Sequence, residues 1–206
     1  MSLVGTSKIK RGVDVAVSLT GIAVLSPVLV VLFVILKLDG CPAVFSHTRV
    51  GQKRSSFQCH KFRTMHADAD ERLEELLSRD EEARLEWDTH FKLKDDPRVT
   101  VLGEVLRKSS LDELPQLFNV LKGDMSLVGP RPVVEEELKL YGNYASDYLS
   151  ARPGITGLWQ VSGRNDLDYN ERVSLDVTYV RQWTHKLDLR ILLKTVLVVL
   201  TRRGAY

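Results

Sequence analysis

The stretch Val15-Ala16-Val17-Ser18-Leu19-Thr20-Gly21-Ile22-Ala23-Val24-Leu25-Ser26-Pro27-Val28-Leu29-Val30-Val31-Leu32-Phe33-Val34-Ile35-Leu36 runs for 22 residues without a charge. At a rise of about 1.5 Å per residue an unbroken helix of this length would reach roughly 33 Å, enough to cross a hydrocarbon core. Ser26-Pro27 falls near its middle. Pro27 removes one helical hydrogen bond and its ring crowds the carbonyl four residues back, so the helix must bend there. Each arm alone would extend only about 17–18 Å, too short to cross. Two arrangements follow: a kinked helix that spans, or a broken helix that dips in and returns to the same face. Basic residues flank both ends, with Lys8, Lys10 and Arg11 before and Lys37, Arg49, Lys53 and Arg54 after, which favours both ends on the cytoplasmic side. No small-residue cleavage pattern precedes Lys37-Leu38-Asp39, so the segment reads as a retained membrane element and not as a signal peptide.

The remainder, at 206 residues in all, is enough for one domain. A formal net charge of +2 hides an asymmetry: residues 68–88 carry ten Asp/Glu against three Arg, so the rest of the chain is at +9. A basic remainder suits phosphates, anionic lipid surfaces or nucleic acid. Cys41 and Cys59 lack metal-ligand spacing and cannot make a disulfide framework, which points to a reducing setting.

Residues 42–65 read as a β-hairpin turning near Gly51-Gln52, with Phe57, Cys59, Lys61 and Arg63 on one face of its second strand and Gln58, His60 and Phe62 on the other. Residues 67–91 read as one charged helix with Leu73, Leu76, Leu77 and Leu85 at helical spacing and a solvated acidic face. Asp95-Asp96-Pro97-Arg98 breaks it, and a short helix over 100–108 leads to Arg107-Lys108-Ser109-Ser110-Leu111-Asp112-Glu113-Leu114-Pro115-Gln116.

Two readings of that run compete. Ser110 with Glu113 fits a capping box, or Asp112 is itself the cap, with Pro115 in the first turn. Alternatively, two adjacent carboxylates beside Arg107 and Lys108 face a bound phosphate, where they could hold a metal ion or attack phosphorus. A helix over 116–121 stops at Gly123.

In Gly129-Pro130-Arg131-Pro132 the flanking prolines hold an arginine with little ordering cost, as an anion-binding residue requires. A helix over 133–141 follows. Then comes Arg152-Pro153-Gly154-Ile155-Thr156-Gly157-Leu158-Trp159-Gln160 with Gly163-Arg164-Asn165, where glycines permit close approach to a ligand and Arg152, Gln160 and Arg164 could bind phosphate or sugar hydroxyls. Residues 187–203 mix apolar blocks with Arg190, Lys194, Arg202 and Arg203. They fit either a helix on a membrane surface or one packed on the core.

Taken together and in this order, Lys10-Arg11 with Asp14, Ser26-Pro27, Lys61-Phe62-Arg63-Thr64-Met65, Asp96-Pro97-Arg98, residues 106–116, 124–132 and 152–165, and the final Gly204-Ala205-Tyr206 resemble the bacterial sugar transferases. These are the monotopic polyprenyl-phosphate phosphoglycosyl transferases, and the likeness is to the galactose and glucose phosphotransferases among them. The resemblance implies transfer of a hexose 1-phosphate from a UDP-sugar to polyprenyl (undecaprenyl) phosphate with release of UMP. It implies an α+β, mainly helical fold: a re-entrant membrane helix hairpin broken at Ser26 and Pro27 over residues 1–40, then a cytoplasmic-face catalytic domain over 41–206. That domain would hold the small β-hairpin, the catalytic helices and a C-terminal interfacial helix. Asp112 would be the nucleophile of a covalent aspartyl-phosphosugar intermediate. Asp112 and Glu113 would bind Mg²⁺, with Glu113 alternatively assisting the acceptor. Lys61, Arg63, Arg107 and Arg131 would hold phosphates, and Arg152, Gln160 and Arg164 the nucleotide sugar. The expected partners are the UDP-sugar, the polyprenyl phosphate and membrane lipids, with no nucleic acid and a homodimer left open, at the cytoplasmic face of a bacterial inner membrane. A chain of this length fits a minimal member or a catalytic piece of a longer one. A membrane-tethered binding scaffold and a Mg²⁺-dependent phosphohydrolase are the competing readings.

Overall fold

In the computed structural model the apolar stretch is a single helix, α1, Lys8–Lys37, with Pro27 inside it. The structure describes residues 4, 6–90, 93–163 and 167–201. Helix α1 begins where Ser7 accepts the Lys10 amide hydrogen. Pro27 leaves the Ala23 carbonyl without its amide donor, and the Ser26 hydroxyl supplies one at 2.9 Å. That explains why a serine stands before the proline: a freed carbonyl away from water costs free energy unless it finds another donor. Most of the helix is bare, with Val24 70% and Val30 61% exposed.

Both ends of α1 grip the rest of the chain. At the start, Lys10 pairs with Asp188 at 2.8 Å and Arg11 donates to the carbonyls of Val120 and Leu121. At the finish, Leu32 and Leu36 pack on Ala43, Phe62 and Leu106. Arg63 closes that end by donating to the Leu36 carbonyl at 2.9 Å and to Asp39.

The expected hairpin is present as β1 (Val44–Val50) and β2 (Ser56–Phe62), antiparallel with Phe45 opposite Lys61 and Arg49 opposite Phe57. Alternation holds: Phe57 and Cys59 are buried in one cluster and Phe62 in another on the opposite face. The single acidic helix expected over 67–91 is instead two, α2 (Ala69–Arg79) and α3 (Glu81–His90). Asp80 is extended between them and its side chain accepts the Ala83 amide hydrogen, so it starts the second helix and cannot continue the first. The end of that expectation, at residue 91, lies outside the described residues.

Helices α4 (Val101–Ser109, capped by Thr100) and α5 (Gln116–Lys122, ended by Gly123 at φ 98°) fall where the sequence places them. The helix expected over 133–141 is shorter, α6 (Glu135–Leu140), followed by α7 (Ala145–Ser150). An unforeseen parallel pair joins β3 (Ser126–Val128) to β4 (Gly154–Thr156). Helices α8 (Tyr169–Arg181) and α9 (His185–Thr201) complete the fold. Of α9, Ile191 is buried in the core, as the packed reading expects, while Leu189, Leu193, Val196 and Leu197 are exposed.

Candidate active site

A short turn joins α4 to α5. Ser110 takes φ 57°, a left-handed conformation that ends α4, and residues Leu111–Glu113 make one 3₁₀ turn. The capping readings of the sequence are thereby corrected. Ser110 makes no capping bond to this turn, and α5 starts at Gln116 without a side-chain cap. The carboxylates are therefore not consumed by helix termini.

They face Lys61 instead. The ammonium of Lys61 donates to Glu113 at 2.7 Å and stands 3.7 Å from Asp112 Oδ2. Two tertiary links fix this meeting. Asn119 of α5, fully buried, accepts the His60 amide hydrogen at 3.0 Å and donates to the Gln58 carbonyl at 2.7 Å, locking α5 along β2. On the other side Gly103 of α4 lies so close to Thr64 that an added Cβ would sit 2.0 Å from its carbonyl oxygen. Thr64 in turn accepts from Arg107 Nε at 3.0 Å. Sequence reading missed Asn119, Thr64 and Gly103, because their partners are distant in the chain.

Burial pushes the Asp112 carboxyl up to about 6. The ammonium of Lys61 opposes that rise, Glu113 adds to it, and Arg107 opposes it. Burial by itself would lower Lys61, but Glu113 and Asp112 outweigh it and hold the ammonium above its usual range. The arrangement keeps Asp112 ionised near neutrality yet poorly solvated, a condition that favours a nucleophile. Among the described residues no three His, Cys, Asp or Glu gather as a ready metal site. The adjacent hard oxygens of Asp112 and Glu113 still fit Mg²⁺, which takes one or two carboxylates and completes its shell with water and substrate phosphate.

The other expected site residues divide. Arg107 lies by the pair, near enough to act on the Asp112 charge. Arg63 does not join it, being committed to the end of α1 and to the Pro42 carbonyl. Arg131 sits on the loop after β3, its amide 3.4 Å from Asp176 and its guanidinium over the Trp159 ring at 5.8 Å. Arg152 donates to the Gly123 carbonyl and Gln160 to that of Ile155, so both brace loops. Gly154 serves close backbone packing, since a Cβ there would meet Gly129 N at 2.1 Å. Arg164 lies outside the described residues.

A family model described as bacterial sugar transferase matches residues 5–202. The chain is 54% identical over 198 residues to an undecaprenyl-phosphate galactose phosphotransferase of Salmonella typhimurium, covering 96% of this chain and 42% of that protein. It is 49% identical over 198 residues to the exopolysaccharide production protein ExoY of Rhizobium meliloti, covering 96% and 88%. It is 39% identical over 206 residues to a UDP-glucose:undecaprenyl-phosphate glucose-1-phosphate transferase of Caulobacter vibrioides, covering 96% and 72%. The chain thus spans well under half the length of the Salmonella protein it matches.

Proposed function

The chain belongs to the bacterial sugar transferase family, and from that premise we propose that it moves a hexose 1-phosphate from a UDP-sugar to undecaprenyl phosphate for polysaccharide assembly. The observation that carries the reading is the cluster of Lys61, Asp112 and Glu113, a buried carboxylate held ionisable beside one cation and a second carboxylate. The names of the Salmonella and Caulobacter relatives supply the acceptor and two candidate sugars.

In the proposed first step an Asp112 carboxylate oxygen bonds to the β-phosphorus of the donor. The bond from that phosphorus to the bridging oxygen breaks, and UMP departs with the electron pair. In the second step a phosphate oxygen of the acceptor attacks the same phosphorus and the carboxylate leaves, giving polyprenyl-diphosphate-sugar. Lys61 and Arg107 offset charge at the reacting phosphate, and Arg131 holds a phosphate farther along the donor. Mg²⁺, bound by Asp112 or Glu113 with the diphosphate, would neutralise charge on the departing nucleotide.

The membrane arrangement belongs to the same reading. A spanning helix parts its ends by roughly 30 Å across a bilayer, yet both ends of α1 bind the one domain, through Arg11 and Lys10 at one end and Arg63 at the other. That supports a helix that enters at Lys8, bends at Ser26-Pro27 and returns at Lys37, with the domain on the cytoplasmic face. The exposed apolar face of α9 would lie on the same surface. The acceptor phosphate, at headgroup depth, then meets a donor arriving from the cytosol.

The test is chemical. The purified chain in nanodiscs with Mg²⁺ and labelled UDP-galactose or UDP-glucose should release UMP and carry a sugar-phosphate adduct on Asp112. Asp112→Asn should do neither while remaining in the membrane fraction. Turnover retained in Asp112→Asn would overturn the covalent route. Free sugar phosphate formed equally well without acceptor would make the enzyme a phosphohydrolase. Cysteines placed at Lys8 and Asp39 should label from the same side of a vesicle; labelling from opposite sides would refute the re-entrant helix.

A further inference from the structure

The segment Asp96-Pro97-Arg98 closes on itself near the catalytic turn. The Asp96 carboxylate accepts the Arg98 amide hydrogen at 3.0 Å and both prongs of the Arg98 fork, Nε at 2.8 Å on Oδ1 and Nη2 at 2.7 Å on Oδ2. The two side chains are only 10% and 11% exposed, and the Trp87 ring of α3 lies over the guanidinium at 4.8 Å. Backbone bonds tie this unit to the chain just after β2. The Arg98 carbonyl accepts from His66 at 2.8 Å, Met65 lies opposite Val99, and the Thr100 amide donates to the Thr64 carbonyl at 3.0 Å. The hydroxyl of that same Thr64 accepts Arg107 Nε. Arg107 is thereby held by one nitrogen, and among the described residues its two terminal nitrogens have no partner. Asp96 is a rival for them. Desolvation pushes the Arg107 guanidinium below the usual arginine range; Asp96 and then Asp112 oppose the fall, and Arg98 adds to it. Two carboxylates thus act on one arginine, and Arg98 occupies both oxygens of the first.

We propose that Arg98 is a positioning residue of the transfer reaction: by taking Asp96 with its whole fork, it keeps that carboxylate from drawing Arg107 away from the reacting phosphate. The inference rests on the proposed function for what Arg107 does there, and it gives Asp96-Pro97-Arg98 a task in the same chemistry. Arg98 itself does not act on substrate. A sheltered carboxylate needs a cation, because an unpaired charge away from water is costly. Arg98 meets that need in the planar geometry that fills both oxygens at once, and the Trp87 ring braces the plane of the fork. Arg107 then keeps its terminal nitrogens for the phosphate at Asp112. Without Arg98, Asp96 takes the other guanidinium on which it already acts, and Arg107 is lost to the reaction.

Steady-state UMP release and thermal unfolding of the full chain in nanodiscs test this, with undecaprenyl phosphate and UDP-galactose or UDP-glucose as substrates. Arg98→Gln should lower kcat about tenfold and leave the UDP-sugar KM within about twofold of wild type. The double variant Asp96→Asn with Arg98→Gln should regain most of that kcat, because the rival charge is gone. A double variant as slow as Arg98→Gln, or kcat losses that only follow the fall in unfolding temperature, would overturn the inference. Should Arg98→Gln fail to fold, Arg98→Lys carries the test. Its ammonium still meets Asp96, so kcat should stay within about threefold of wild type, and a tenfold fall in the folded variant would overturn the inference. A second readout needs no turnover. Arg107→Gln should lower the unfolding temperature about 2–4 °C further in the Arg98→Gln background than in the wild type, where Arg107 does not pair with Asp96. Equal shifts in the two backgrounds would count against the capture of Arg107. That coupling in a chain that never transfers sugar phosphate would uphold the role of Arg98 at Asp96 and sink the proposed function. Transfer without the coupling would do the reverse.

Discussion

Replacing Lys61 by Met should move the pH at which the enzyme loses activity on the acid side. The Lys61 ammonium stands 3.7 Å from Asp112. Two unit charges at that distance interact by about 4.5 kcal/mol at an effective dielectric of about 20 and by about 2 kcal/mol at about 40. The Lys61 side chain is 39% exposed, so water screens the pair and the smaller figure applies. At 1.36 kcal/mol per pH unit, that is about 1.5 units. The wild-type carboxyl, already pushed up to about 6 by burial, loses its principal opposing charge while Glu113 remains beside it. The acid limb of kcat/KM against pH should therefore shift from near 6 to about 7.5, with the variant poor at pH 6.5 and largely restored at pH 9. UMP release measured across pH 5–9 reads this directly. An acid limb that stays near 6 while the rate falls equally at every pH would refute the reasoning. Lys61 would then bind substrate without controlling the Asp112 charge.

Other outcomes follow from the packing. Gly103→Ala puts a methyl 2.0 Å from the Thr64 carbonyl oxygen. It should cost about 1–3 kcal/mol or more and drag the Asp112 turn out of place, read as a lower unfolding temperature together with a loss of kcat of at least tenfold; unimpaired activity would contradict the placement of α4. Lys10→Met removes the partner of a buried carboxylate that still accepts from Tyr179 and Trp183. A loss near the low end of about 3–5 kcal/mol is expected, and an unaltered thermal midpoint in detergent would disprove it. Asp176 is pushed up to about 7 by burial, against bonds from Tyr141 and the Arg131 amide. An unfolded aspartate titrates near 3.9, so between about pH 4 and 7 the folded state binds more protons and its stability falls as pH rises. Asp176→Asn should flatten that decline by about 2–4 kcal/mol between pH 4 and 8, and an equally steep decline in the variant would assign it elsewhere.

What was legible in the sequence is what short-range chemistry controls. The uncharged helical run, the hairpin with Lys61 on the same face as Cys59, the stop at Gly123 and the start of α4 at Thr100 each follow from periodicity, capping or turn preference within a few residues. Asp112 was visible as a candidate, though local pattern favoured a cap. Tertiary structure removed that ambiguity, because the left-handed turn at Ser110 and the lock of Asn119 onto β2 bring Lys61 to carboxylates 51 and 52 residues away in the chain. It also took Arg63 away from the site to close α1, and set Arg131 of the loop after β3 and Arg172 of α8 over the same Trp159 ring. A side chain's reach within its own helix or strand is written in its neighbours. Which distant charge it meets depends on how the apolar faces pack, and only the folded chain decides that.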